Sequence, residues 1–169
     1  MNATVTKLLN DQINKEFYSA YLYLHFANYF AENGLSGFAN WYTVQAQEER
    51  DHAMLFVKYL QNCGERVLLD AIAKPEASLL SGMHVLQAGL QHEQFVTQSI
   101  NAIYEAAAAA RDFRTMQFLE WFIKEQAEEE TNATELIKKQ TLYGGEARAL
   151  YLLDQELGAR VYGPPSLKL

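Results

Sequence analysis

Four apolar helical stripes, each interrupted by a carboxylate near its middle, constrain this 169-residue chain more than any other feature. Apolar residues recur three and four apart, the spacing of one helix face. The first stripe passes through Leu9, Ile13, Glu16, Ala20, Tyr23, Ala27 and Phe30. The second passes through Tyr42, Gln45, Glu49, His52 and Phe56, and the third through Leu86, Leu90, Glu93, Val96 and Ile100. The fourth passes through Phe122, Gln126, Glu129, Ala133 and Leu136. The pattern predicts helices over about 3–32, 36–62, 81–110 and 113–142, with a short fifth over 146–158 and a flexible tail over 159–169. Asn33-Gly34, Asn62-Cys63-Gly64, Arg111-Asp112 and Gly144-Gly145 punctuate them, and Ser36 is placed to cap the second helix.

Connection lengths set the topology. Short links after the first and third helices make antiparallel pairs. A helix of about 27 residues is about 40 Å long at roughly 1.5 Å per residue. The connection of about 17 residues between the second and third helices reaches about 55 Å when extended, so it can cross the whole bundle. Two antiparallel pairs joined by one crossover is the economical all-α arrangement; an up-down bundle with a loose loop is the alternative.

Bulk properties narrow the function. Hydrophobic residues make up 49 % of the chain, which fits one folded domain over 1–169. A net charge of −7 without a basic stripe argues against nucleic acid and anionic membrane as partners, and suits cations. One cysteine, Cys63, excludes an intrachain disulfide and a CxxC metal knuckle. No basic segment leads into a long apolar run at the start, and no stretch has the length of a membrane span, so a soluble cytoplasmic protein is expected.

The mid-stripe acids carry the chemistry. A lone acid on a helix boundary is usually solvated, and a lone Glu-x-x-His is common. Four helices side by side, however, bring Glu16, Glu49, Glu93 and Glu129 to one level. Carboxylates gathered in a dry core repel one another and lose hydration. Divalent cations relieve both costs. An oxygen-rich set with one imidazole suits Fe or Mn better than a thiolate-seeking metal. Glu49 and His52, three apart, point to the same face.

The stretches LNDQINKEFYSAYLY, AQEERDH, HEQFVTQSIN and FLEWFIKEQAEEE resemble the bacterial non-haem ferritins over nearly the whole chain. Glu49-x-x-His52 matches the pattern of ferritin-like di-iron bundles. The resemblance implies a ferritin-like four-helix bundle with a long crossover between helices two and three, plus a short fifth helix lining the four-fold axis of a 24-subunit shell. It implies a first iron held by Glu16, Glu49 and His52. Glu49 would bridge to a second iron on Glu93 and Glu129, with Gln126 close by. Glu48, Glu125 and Glu128, with Glu129, resemble a third, more exposed iron site. Tyr23 and Trp121 match residues that can donate an electron. The implied activity is oxidation of Fe(II) by O2 or H2O2 and storage of ferric mineral.

Two departures narrow the class. Haem-binding bacterioferritins carry a second Glu-x-x-His in the fourth helix, where this chain reads Gln126-Ala127-Glu128-Glu129. Their haem-ligating methionine follows the bridging glutamate, where this chain has Arg50, so no haem is expected. Rubrerythrin-like peroxidases append a four-cysteine iron domain that one cysteine cannot supply. The competing readings are a ferritin-like oxidoreductase or peroxidase without a storage role, and a structural bundle whose core acids are coincidental.

Overall fold

The computed structural model describes residues 1–75 and 78–169, and it contains five helices among them. They are α1 (Ala3–Glu32), α2 (Ser36–Asn62), α3 (Gly82–Ala109), α4 (Phe113–Tyr143) and α5 (Ala147–Gly158). Glu76 and Ala77 of the predicted crossover lie outside the described residues. Among the described residues, no helix is long and apolar enough to cross a membrane.

Local chemistry explains the helix ends. The Asn2 side chain accepts from the backbone N–H of Thr4, Ser81 from that of His84, and Asp112 from that of Thr115. At the end of α1, Gly34 takes φ +76°, which lets Leu35 N–H reach back to Phe30 O at 2.9 Å. Ser36 corrects an expectation. Leu35 holds the cap position of α2 and no cap bond comes from its own segment. Instead, Asp154 of α5 accepts the N–H groups of Gly37 and Phe38, at 2.8 and 3.0 Å.

The crossover topology is the one that forms. Lys15 meets Ser99, Ser19 meets His92, and Tyr23 meets Glu93, so α1 and α3 run antiparallel. Gln45 meets Glu129 and Tyr59 meets Thr115, so α2 and α4 also run antiparallel. Phe30 stacks on Phe38 and Glu16 meets Glu49, so α1 and α2 are antiparallel too; α2 and α3 therefore point the same way, and the link between them must travel the bundle's length. Asn10 holds that link to α1, accepting from Leu68 N–H at 2.6 Å and donating to Arg66 O at 3.2 Å. Asn14 adds a bond to Ala71 O at 3.0 Å.

The core is divided. One apolar cluster contains Val5, Leu9, Ile13, Phe56, Leu60, Ile100 and Phe122. The other contains Phe26, Phe30, Phe38, Tyr42, Leu86, Leu136 and, from α5, Leu153 and Leu157. Between them lies a buried polar layer that includes Gln12, Glu16, Gln45, Glu49, His52, Glu93, Gln126 and Glu129. Each of the four bundle helices contributes to this layer, which gives the mid-stripe acids a common level.

The tail departs from its expected flexibility. Arg160 lies over the Trp41 ring, its guanidinium carbon 4.1 Å from the ring centroid. Trp121 Nε1 donates to Ser166 Oγ at 3.0 Å, the Tyr162 hydroxyl donates to Asp51, and Leu167 packs on the first core cluster. The chain end is thereby tied to α2 and α4.

Candidate metal centre

The polar layer holds four carboxyls with almost no access to water. Glu16 is 1 % exposed, Glu49 2 %, Glu93 3 % and Glu129 7 %. Carboxylates are rarely buried this deeply without a partner. Ligand atoms of Glu16, Glu49 and His52 all lie within 4.8 Å of one another. Glu49 Oε2 is 3.4 Å from His52 Nδ1, the contact their three-residue spacing on α2 provides. The His52 ring is held edge-on against Trp121 and Phe122 of α4.

Amide and phenol donors orient the acids. Gln12 Nε2 donates to Glu16 Oε1 at 2.8 Å. Gln45 Nε2 donates to Glu129 Oε2 at 2.8 Å and to Glu49 Oε1 at 3.3 Å. The Tyr23 hydroxyl donates to Glu93 Oε1, and Gln126 Nε2 to Glu93 Oε2 at 3.1 Å. Gln126 therefore serves Glu93 from α4, on the same helix as Glu129. Glu16 Oε2 is buried beside the Glu49 carboxyl, and among the described residues no N–H or hydroxyl donor reaches it. Leaving a buried polar atom unpaired is costly, and a cation would satisfy it. A cavity of about 20 Å³ is lined in part by Tyr23, Gln45, Glu93 and Glu129, room for one water-sized occupant.

Electrostatics agree with the geometry. Burial, then the charge of a neighbouring carboxylate, pushes each of the four acids up to about 8. The neighbour is Glu49 for Glu16, Glu129 for Glu49, Glu49 for Glu93, and Glu93 for Glu129. Two or more positive charges among them would restore the ionised forms. Four oxygen donors and one imidazole fit iron or manganese.

The more exposed acids are arranged differently. Glu48, Glu125 and Glu128 line a pocket of about 250 Å³ that also touches His52 and Trp121 and is bordered by Arg160 and residues 163–166. Glu48 already has a cation, because Arg160 Nη2 bonds its Oε2 at 2.5 Å. Glu125 is half-buried and Glu128 exposed. Burial pushes the Glu48 and Glu125 carboxyls upward.

Sequence reasoning did not assign roles to Gln12, Gln45 or Arg160. A signal existed for the two glutamines: each stands four residues before a core glutamate, on the same helix face. Nothing local marks Arg160, whose partners lie more than a hundred residues away.

The chain is similar to known proteins in sequence and fold. The ferritin profile, described as a Ferritin-like domain, matches residues 6–142. A bacterial non-heme ferritin of Campylobacter jejuni is 39 % identical over 155 residues, 92 % of this chain and 93 % of that protein. One from Staphylococcus saprophyticus is 36 % identical over 96 % of this chain and 97 % of its own length. Among solved structures, an open pore ferritin from the hyperthermophilic archaeon Archaeoglobus fulgidus superposes with a TM-score of 0.93. It is 42 % identical, over 95 % of this chain and 99 % of that one.

Proposed function

The chain belongs to the ferritin family, and on that basis we propose that it oxidises Fe(II) in its buried carboxylate layer and stores the product as ferric mineral. The observation carrying this reading is the meeting of Glu16, Glu49 and His52 in the core, with the unsatisfied Glu16 Oε2 among them. Fe(II) is substrate and cargo here. Glu16, Glu49 and His52 bind the first ion. Glu49 bridges to a second, held by Glu93 and Glu129, with Gln126 fixing Glu93.

Pairing the ions matches the electron count. Two Fe(II) give up two electrons, and with two protons these reduce O2 to H2O2, or H2O2 to two waters. No one-electron oxygen radical need be released. Hard carboxylate oxygens favour Fe(III) over Fe(II), which makes the oxidation downhill. Tyr23 is hydrogen-bonded to Glu93 and Trp121 packs on His52, and in this reading either ring supplies one electron when a single Fe(II) is present to share the two-electron reduction.

The ferric product moves to the cavity of a 24-subunit shell in the cytoplasm, where it mineralises. A net charge of −7 per subunit draws Fe(II) inward at modest ionic strength. Glu48, Glu125 and Glu128, with Glu129, make up the third, more exposed site, where an ion competes with Arg160 for Glu48. Storage is favoured over a peroxidase role by α5 and by the relatives' names. Size-exclusion chromatography with iron loading tests the proposal. A large particle containing ferric mineral supports it; a small species that turns over iron without retaining it refutes storage. Glu49→Ala, with the bridge removed, should assemble yet lose rapid oxidation in stopped-flow traces.

A further inference from the structure

Arg160 reaches the buried layer through one intermediary, Gln45. Its Nη1 donates to Gln45 Oε1 at 2.8 Å and to Trp41 O at 3.3 Å, while Nη2 holds Glu48. Trp41 supports the guanidinium plane, and Asn40 Nδ2 bonds Arg160 O at 3.0 Å. Four groups on α2 therefore fix a residue that lies just beyond α5.

A guanidinium has five N–H donors and no acceptor, so it can face only the oxygen end of an amide. With Oε1 taken by Arg160, the Gln45 amide must present Nε2 to the other side. There Nε2 donates to Glu129 Oε2 and Glu49 Oε1, carboxylates of α4 and α2. In the reversed orientation the amide oxygen would face those two acids and repel them when ionised. Among the described residues, Arg160 is the one group that donates to Gln45 Oε1.

We propose that Arg160 is a positioning residue for the buried centre, locking the Gln45 amide so that it orients Glu49 and Glu129 for metal. The inference rests on the iron-binding reading above. Groups that orient metal ligands are typically worth about 10-fold to 100-fold in affinity or activity. The tail, by this reading, is part of the site, which makes the end of the chain matter for chemistry carried out mid-bundle.

A double-mutant cycle tests it. Arg160→Met keeps the apolar stem and removes the donors; Gln45→Leu removes the amide. Two readouts are taken on assembled protein: Co(II) binding at the core site, located among Glu16, Glu49 and His52 by anomalous scattering over graded concentrations, and stopped-flow Fe(II) oxidation. Arg160→Met is expected to lower both by about 10-fold, and Arg160→Lys, which retains a donor, to recover part of the loss. The double variant should be no worse than Gln45→Leu alone. Parent-like behaviour of Arg160→Met, or losses that multiply in the double variant, would overturn the positioning role while leaving the iron function standing. A parent protein that neither binds Co(II) in the core nor oxidises iron would overturn both.

Discussion

Asp154 caps the start of α2 from far along the chain: its Oδ1 accepts the backbone N–H of Gly37, 117 residues earlier, at 2.8 Å. The neighbouring Phe38 N–H bonds the same oxygen at 3.0 Å. This cap joins α5 to the start of α2, and Gly37 permits the approach. A Cβ at that position would stand 1.6 Å from the Asp154 carbonyl oxygen. Asp154→Ala is expected to cost about 1–2 kcal/mol, the loss of a strong cap whose donors stay buried. Hydrogen exchange should show α5 amides opening faster while mid-bundle amides keep their protection. Gly37→Ala should unseat α5 altogether. Unchanged exchange in α5 for either variant would show that the cap does not hold the helix.

The four core carboxyls make the metal-free protein sensitive to alkali. Their native values are raised from 4.5 to about 8. The unfolded chain sheds these protons near pH 4.5, whereas the native state keeps them until about pH 8. The native state therefore binds more protons across that window, and stability falls as pH rises through it. Stripped protein is expected to melt at a lower temperature at pH 8 than at pH 5. Saturating Co(II) should flatten or reverse the trend, because bound cations stabilise the ionised forms. A stripped protein that gains stability over this range would contradict the burial of these acids.

Metal uptake and proton release belong together. At pH 7 the cations must displace protons from carboxyls whose native values lie near 8. Calorimetric titration with Co(II) in buffers of different ionisation enthalpy should report proton release, shrinking as the starting pH is raised past 9. Release that does not depend on pH would place binding on other groups.

Arg160 also decides whether the outer acids can hold an ion. Its guanidinium already neutralises Glu48. Crystals soaked in Zn(II) are expected to show no ion on Glu48 in the parent and one among Glu48, Glu125 and Glu128 in Arg160→Met. An ion on Glu48 in the parent, with Arg160 still in place, would show that the two cations do not compete.

Much of this arrangement was legible in the sequence because it is written at helical spacing. Glu16, Glu49, His52, Glu93 and Glu129 declare themselves as acids or imidazole on apolar stripes, and connection lengths favour the crossover over an up-down bundle without deciding between them. What escaped was set by contacts between distant segments. Ser36 looked like a cap by its local context, yet the acceptor came from Asp154. The tail, broken by Gly163-Pro164-Pro165, offered no periodicity, and its contacts come from Arg160 and Trp121 finding partners across the fold. Gln12 and Gln45 were visible as neighbours of core glutamates; their orienting role depends on amide directions that spacing alone does not specify.

The most direct test is anomalous diffraction from crystals soaked anaerobically in ferrous salt. Two peaks per subunit are expected in the polar layer, one among Glu16, Glu49 and His52, the other between Glu49, Glu93 and Glu129. A layer without anomalous signal, with the four carboxyls hydrogen-bonded to one another or to water, would contradict the assignment of that layer to iron.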